Sequence, residues 1–383
     1  MLTGQNGILN RATEAKEKTD VAQKDEYEKI QGYEDIINQY VGNLPVREET
    51  KPYFPNNTFS YKEGDLSSGL VIKDADENEY VWVEVPTTIY KNSKYNTNGE
   101  PSSSTDYDKI EKCLKLYTSD YSDVSYSDTN TEFKTLYQNM LKSLYENGGF
   151  WIGRYEAGYE IDKSKGETVR DYGNDNYTEY PITQKVVIKE NVYPYNWVRR
   201  NQAQELAAGI NYGDCRGSLM FGIQWNLVLK YIETKFVEKN ASSDIKAKLT
   251  SNSTTIGNYC NSEFTLNRGK FAQYGVLSDW KDYNSEDKTN LVTGCKKKEQ
   301  SSYENGILLT TGATEAAKLQ NIYDIAGNVL EWTLEKGSNE EYPCTGNGGY
   351  CSGNGLESPA KYRNCYNTYF SISHIGFRIG LWK

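Results

Sequence analysis

The chain has 383 residues, room for one large domain with an appendage or for two domains. Its formal net charge of -10 disfavours a nucleic-acid backbone as partner. A single histidine, His374, leaves nothing for zinc catalysis, a histidine-based triad or histidine acid–base chemistry elsewhere.

From the start, Ala12, Ala15, Ala22, Ile30, Ile37 and Tyr40 mark one stripe among alternating Lys and Glu. That pattern predicts a polar helix within residues 1–45, exposed or connecting, which Gly42 and Pro45 stop. Residues 46–66 read as a linker. GLVIKDADENEYVWVEVP, Gly69 to Pro86, reads as a hairpin: a strand at Leu70 to Ile72, a turn at Asp74 to Asn78, and a strand at Tyr80 to Val85. Residues 91–131, rich in Ser, Asn, Asp and Tyr, read as an insertion with a short helix around Ile110 to Leu116. Phe133, Leu136, Tyr137, Met140, Leu141, Leu144 and Tyr145 recur at helical spacing, so a helix is expected over Glu132 to Gly149, with the strand FWIGRYEAGYE after it. Two further helices fit Asn201 to Ala208 and Leu219 to Lys235, the second burying Phe221, Trp225, Leu229 and Ile232. Loops, NIYDIAGNVLEWT and closing strands complete an α+β domain of low regular content.

The end of the chain, PCTGNGGYCSGNGLESPAKYRNCYNTYFSISHIGFRIGL, has a different character. From Tyr362 to Ile375 nearly every residue is Asn, Tyr, Ser, Thr, Cys, His or Phe. That is too polar for a core strand, yet it carries Tyr362, Tyr366, Tyr369 and Phe370. Rigid aromatics beside small adaptable polar groups are the chemistry of a paratope. GNGGY before and IGFRIGL after read as ordered strands that hold the run between them. The 7 cysteines (Cys113, Cys215, Cys260, Cys295, Cys344, Cys351 and Cys365) are odd in number and scattered without a CxxC pair, which indicates neither a disulfide scaffold nor a zinc site.

Four segments in order, YVWVEVP, GGFWIGRYEAG, NIYDIAGNVLEWT and IGFRIGL, resemble formylglycine-generating enzymes and sulfatase-modifying factors, a C-type lectin variant. The resemblance runs from about Ser67 to Leu381 and implies one domain over residues 67–383, with Trp332 and Phe377 in its core, Gly327 in a turn and Arg378 paired with a buried carboxylate. Enzymes of this family hold copper on two closely spaced C-terminal cysteines, whereas Cys351 here has Cys365 fourteen positions on. The family also implies calcium held by Asp324 and Glu331 carboxylates and by the carbonyls of Gly327 and Val329, as a structural ion rather than a required cofactor. LTGQNGILNRATEAKEKT resembles the stretch that follows the membrane helix of pilin-like proteins of Gram-positive gut bacteria. That likeness implies a pilin-type helix preceded by a hydrophobic span of about twenty residues, and display at a bacterial surface, membrane-anchored or pilus-associated.

The C-terminal run, residues 343–381, further resembles the variable region of proteins diversified by retroelements, in which adenine mutagenesis of Asn codons never yields Lys, Glu, Gln, Met or Trp. Only Glu357 and Lys361 belong to that excluded set between Pro343 and Leu381. The resemblance implies variable ligand-binding positions at Asn347, Tyr350, Cys351, Asn354, Tyr362, Asn364, Cys365, Tyr366, Asn367, Tyr369, Ser371, Ser373 and His374. Gly348, Gly349, Pro359, Arg363, Gly376, Phe377 and Arg378 are expected as scaffold. The variable side chains should share one exposed face and engage a protein or glycoprotein ligand by shape and stacking, while Trp151, Trp332 and Phe377 are buried. A copper-dependent formylglycine-generating oxidase and a structural pilus subunit are the competing readings.

Overall fold

The computed structural model describes residues 50–90, 103–128, 131–173, 176–239, 244–274, 276–285, 291–299, 306–337 and 339–383. The pilin-like helix expected within residues 1–45 lies outside the described residues. In chain order the elements that position the site are β1 (Ser60–Glu63), β2 (Val71–Lys73), β3 (Glu79–Glu84), α1 (Ser104–Tyr117), α2 (Lys134–Asn147), β4 (Gly149–Gly153), α3 (Arg200–Ala208), β5 (Asn211–Tyr212), β6 (Cys215–Leu219) and α4 (Gly222–Glu238). They continue with β7 (Leu330–Thr333), β8 (Cys344–Asn347), β9 (Arg363–Tyr366), β10 (Ile375–Phe377) and β11 (Ile379–Trp382). Helix and strand each account for about a quarter of the chain, a mixed α/β composition around a curled antiparallel sheet.

That sheet has seven strands in the order β1-β2-β3-β4-β11-β6-β5. The expected hairpin is present as β2 and β3, and Trp82 lies opposite Trp151 where β3 pairs with β4. Gly149 is required at that crossing, because a Cβ there would sit 2.4 Å from the Trp82 ring. The last strand enters the middle of the sheet, with Leu381 opposite Trp151 on one side and Gly217 on the other. Trp151, Trp332 and Phe377 all lie in the main core, as expected.

Several boundaries differ from the sequence reading. The stretch read as a linker is packed from Thr50: Tyr53 and Phe59 are buried and β1 pairs with β2. The helix read at Ile110 to Leu116 begins earlier because Ser103 and Asp106 form a reciprocal capping box. Leu219 belongs to β6, opposite Ile379, so α4 starts at Gly222. The buried Asp128 carboxylate accepts the amides of Gly222 (2.8 Å) and Ile223 (3.1 Å), satisfying two orphan donors of that helix start.

The second sheet, β9-β8-β7-β10, carries the C-terminal run. Opposed residues in a ladder share a face. The pairs Trp332–Gly346, Gly346–Asn364 and Trp332–Phe377 therefore lie on one side, and Cys344–Tyr366 joins them. Glu331, Asn347, Arg363 and Cys365 take the other side. Arg363 is anchored there by Glu335 at 2.8 Å and by Asn226 of α4.

Candidate ligand-binding surface

The edge strand β9 and the loop after it place most of the aromatic side chains of the run. Tyr366 stacks on Phe370 (centroids 4.5 Å, 13°) and meets Trp332 edge-on at 5.5 Å. Asn364 Nδ2 donates to the Tyr366 hydroxyl at 3.0 Å. Burial raises the Tyr366 phenol pKa, and the phenols of Tyr362 and Tyr350 lie within electrostatic reach and add to the rise. Tyr350 in turn stacks on His374 at 4.4 Å. Ring contacts thus pair His374 with Tyr350 and join Trp332, Tyr366 and Phe370.

The loop beyond β9 is pinned from outside the run. Ser371 donates its amide to the Asn176 carbonyl (3.0 Å) and its hydroxyl to the Thr178 carbonyl (3.3 Å). The Trp197 amide donates to the Ile372 carbonyl, and Asn196 Nδ2 to that of Ser373 at 2.7 Å. The result brings Tyr177 against Tyr369 (5.7 Å) and Phe370 (6.2 Å).

The candidate positions divide by exposure. Tyr369 is half exposed, and Tyr350, Asn354, Tyr362, Asn364, Cys365, Tyr366 and Asn367 are partly buried, with part of each surface still open. Asn347, Cys351, Ser371, Ser373 and His374 are buried, which departs from the expectation of a single exposed face. Their reasons differ. Asn347 faces inward on β8 opposite Glu331, and Ser371 anchors the loop. Cys351 joins an apolar cluster with Ala272, Leu277, Leu308 and Val329. His374 lies between Tyr350 and Tyr274, and burial pushes its pKa down to about 3, so it is neutral at pH 7.

Tyr177 and Tyr342 are surface aromatics that sequence reading passed over, 58% and 37% exposed respectively. The available signal was composition: Asn176, Tyr177 and Thr178 share the vocabulary of the run, and Tyr342 directly precedes Pro343. Only the crossing of the loop over residues 176–178 makes Tyr177 its neighbour.

The copper and calcium expectations can be set against the donors present. All seven cysteines are free. Burial pushes the Cys351 thiol up to about 12 and raises Cys365 as well. Cys365 lies against Tyr126 and Gly337, apart from the cluster that holds Cys351. At the proposed calcium set, Asp324 Oδ2 accepts the Gly312 amide at 2.8 Å and Oδ1 has no partner. Both Glu331 oxygens are engaged by the Arg378 guanidinium, the closest contact being 2.7 Å. Glu156 lies beside them, accepting from Asn328 Nδ2 (2.7 Å) and the Val329 amide (3.1 Å). Burial raises all three carboxyls, Asp324 to about 6 and Glu156 well above the carboxylate range. With Glu331 committed to an internal cation, the set as it stands does not fit calcium. Among the described residues no three or more His, Cys, Asp or Glu side chains gather as a metal site.

No protein-family model and no curated protein matches this chain.

Proposed function

We propose that this is a surface-displayed ligand-binding protein, adhesin-like or receptor-like, whose C-terminal run is diversified by a retroelement on a C-type lectin scaffold of the formylglycine-generating-enzyme type. Its place would be the bacterial cell surface, reached through an N-terminal pilin-type helix and a membrane or pilus attachment. The ligand would be a protein or glycoprotein. One observation carries the reading. Scaffold positions Gly348, Gly349, Arg363, Gly376, Phe377 and Arg378 are buried, while Tyr350, Tyr362, Asn364, Tyr366, Asn367 and Tyr369 keep open surface between them. Change at the second group leaves the fold's anchors in place, which is what a diversified surface requires. The separate settings of Cys351, in an apolar cluster with Val329, and of Cys365, against Gly337 and Tyr126, weigh against the oxidase reading.

The test is genetic. Sequencing this gene across a population should reveal substitutions concentrated in the codons of the open positions, together with a nearby reverse transcriptase and a near-identical template repeat. Variation spread evenly along the gene, with no template repeat, would reject the proposal.

A further inference from the structure

Three exposed tyrosines lie toward the end of the candidate surface where β8 begins and β9 ends, and two of them lie outside the diversified run. Tyr369 is 50% exposed, Tyr177 58% and Tyr342 37%. Tyr177 and Tyr369 have ring centroids 5.7 Å apart. Tyr342 precedes β8, whose Cys344 faces Tyr366 across the ladder, and its phenol lies within electrostatic reach of both other rings.

The two fixed rings are held rather than merely exposed. Ser371 bonds on either side of Tyr177, and Arg199 donates to the Tyr177 carbonyl at 2.8 Å. A turn holds Tyr342: Asn339 accepts the Glu341 amide on its side chain (2.9 Å) and the Tyr342 amide on its carbonyl (3.3 Å). That turn also exposes two carboxylates, Glu340 and Glu341, of which Glu341 lies against the Tyr342 phenol. The Arg363 guanidinium is committed to Glu335 at 2.8 Å, and that of Arg199, beside Tyr177, has its charge paired with Glu179 at 2.6 Å.

An aromatic face carries a negative quadrupole and attracts a cation, and adjacent carboxylates strengthen that attraction. A net charge of -10 adds a long-range field of the same sign. A neutral sugar could also donate its hydroxyls to the carboxylates, but only a cation gains from the long-range field as well. We propose that Tyr177, Tyr342, Glu340 and Glu341 form a fixed clamp for an arginine or lysine side chain on a basic segment of the protein partner, with Tyr369 as its diversifiable neighbour. This rests on the reading of the face as a binding surface and adds the partner's chemistry. The clamp supplies constant affinity, and the run selects among partners that carry the basic group.

The probe is a fluorescein-labelled hexa-arginine peptide, titrated with the full chain and read by fluorescence anisotropy at about 50 and about 200 mM salt. Tyr177→Ala with Tyr342→Ala should weaken binding about tenfold, whereas Tyr177→Phe with Tyr342→Phe should retain it, since the ring and not the hydroxyl is used. Glu340→Gln with Glu341→Gln should weaken binding about fivefold and flatten the salt dependence. Asp108→Asn with Asp214→Asn removes the same charge from two other exposed positions and should leave binding unchanged. Equal weakening by that control pair would reduce the effect to net charge and overturn the clamp. So would absence of peptide binding, or no loss on removing the rings. Sequence variation in the gene is independent of this titration, so the clamp can fail while the diversified-surface reading stands.

Discussion

Tyr369 and Tyr366, three positions apart, should answer mutation differently. Tyr369 is half exposed, so Tyr369→Ala should change stability by under about 0.5 kcal/mol. Tyr366 lies between Trp332 and Phe370, and Tyr366→Ala should cost about 2 kcal/mol through lost ring burial. Trp332→Ala, deep in the core with its indole donating to the Val198 carbonyl at 2.8 Å, should cost about 3–5 kcal/mol. Urea denaturation of the three variants checks the order, and equal losses would show the whole run to be structural. His374 adds a pH signature. Burial lowers its folded-state pKa to about 3, whereas the unfolded chain takes up that proton near pH 6.5. The unfolded state therefore binds more protons between those values, and stability is lost as pH falls through that window. By pH 5 the loss assigned to His374 is about 2 kcal/mol, and it should appear as a pH-dependent difference between wild type and His374→Asn, which lacks the titrating group.

At the scale of elements, the sequence was read best where a signal is local. The β2–β3 hairpin and α2 follow from alternation and helical spacing, and both formed nearly where expected. The start of α1 is also set locally, by the reciprocal cap of Ser103 and Asp106, which lies ahead of the Ile110 to Leu116 stretch expected as helix. Residues 50–66 were unreadable for another reason: Tyr53 and Phe59 are buried only because distant strands close over them. The candidate surface divides the same way. Composition picked out the run around Tyr366 and Tyr369, but nothing local announces that Asn347 and Cys351 point inward or that Tyr177 arrives beside Tyr369. The start of α4 makes a separate prediction. Burial first, then Glu335, raises the Asp128 carboxyl to about 7, so the folded state keeps its proton above the pH at which the unfolded chain releases it. The folded state binds more protons between about pH 4 and 7, and stability falls as pH rises through that range. Asp128→Asn should gain stability relative to wild type across the same range in thermal melts, and a constant difference would show that the group does not titrate there.

At the scale of the molecule, one residue joins the two sheets. Arg378 sits between β10 and β11, the strands that end the second sheet and enter the first. It donates to the Gly153 carbonyl of β4 at 2.9 Å, to the Tyr323 carbonyl at 2.8 Å and to the Glu331 carboxylate of β7 at 2.7 Å. Neither member of the pair has appreciable exposure, so the ion pair is weak grounds for net stabilisation by itself, because desolvation offsets much of the attraction. Breaking it is a different matter. Arg378→Met would leave Glu331 beside Asp324 and Glu156 without their cation, and the loss should be about 3–5 kcal/mol. Adding Glu331→Gln removes the stranded charge and should recover part of that loss. A double variant as unstable as the sum of the two singles would mean that the residues act independently. Recovery in the double variant, measured by urea denaturation, would show the two residues to be coupled where the second sheet passes into the first.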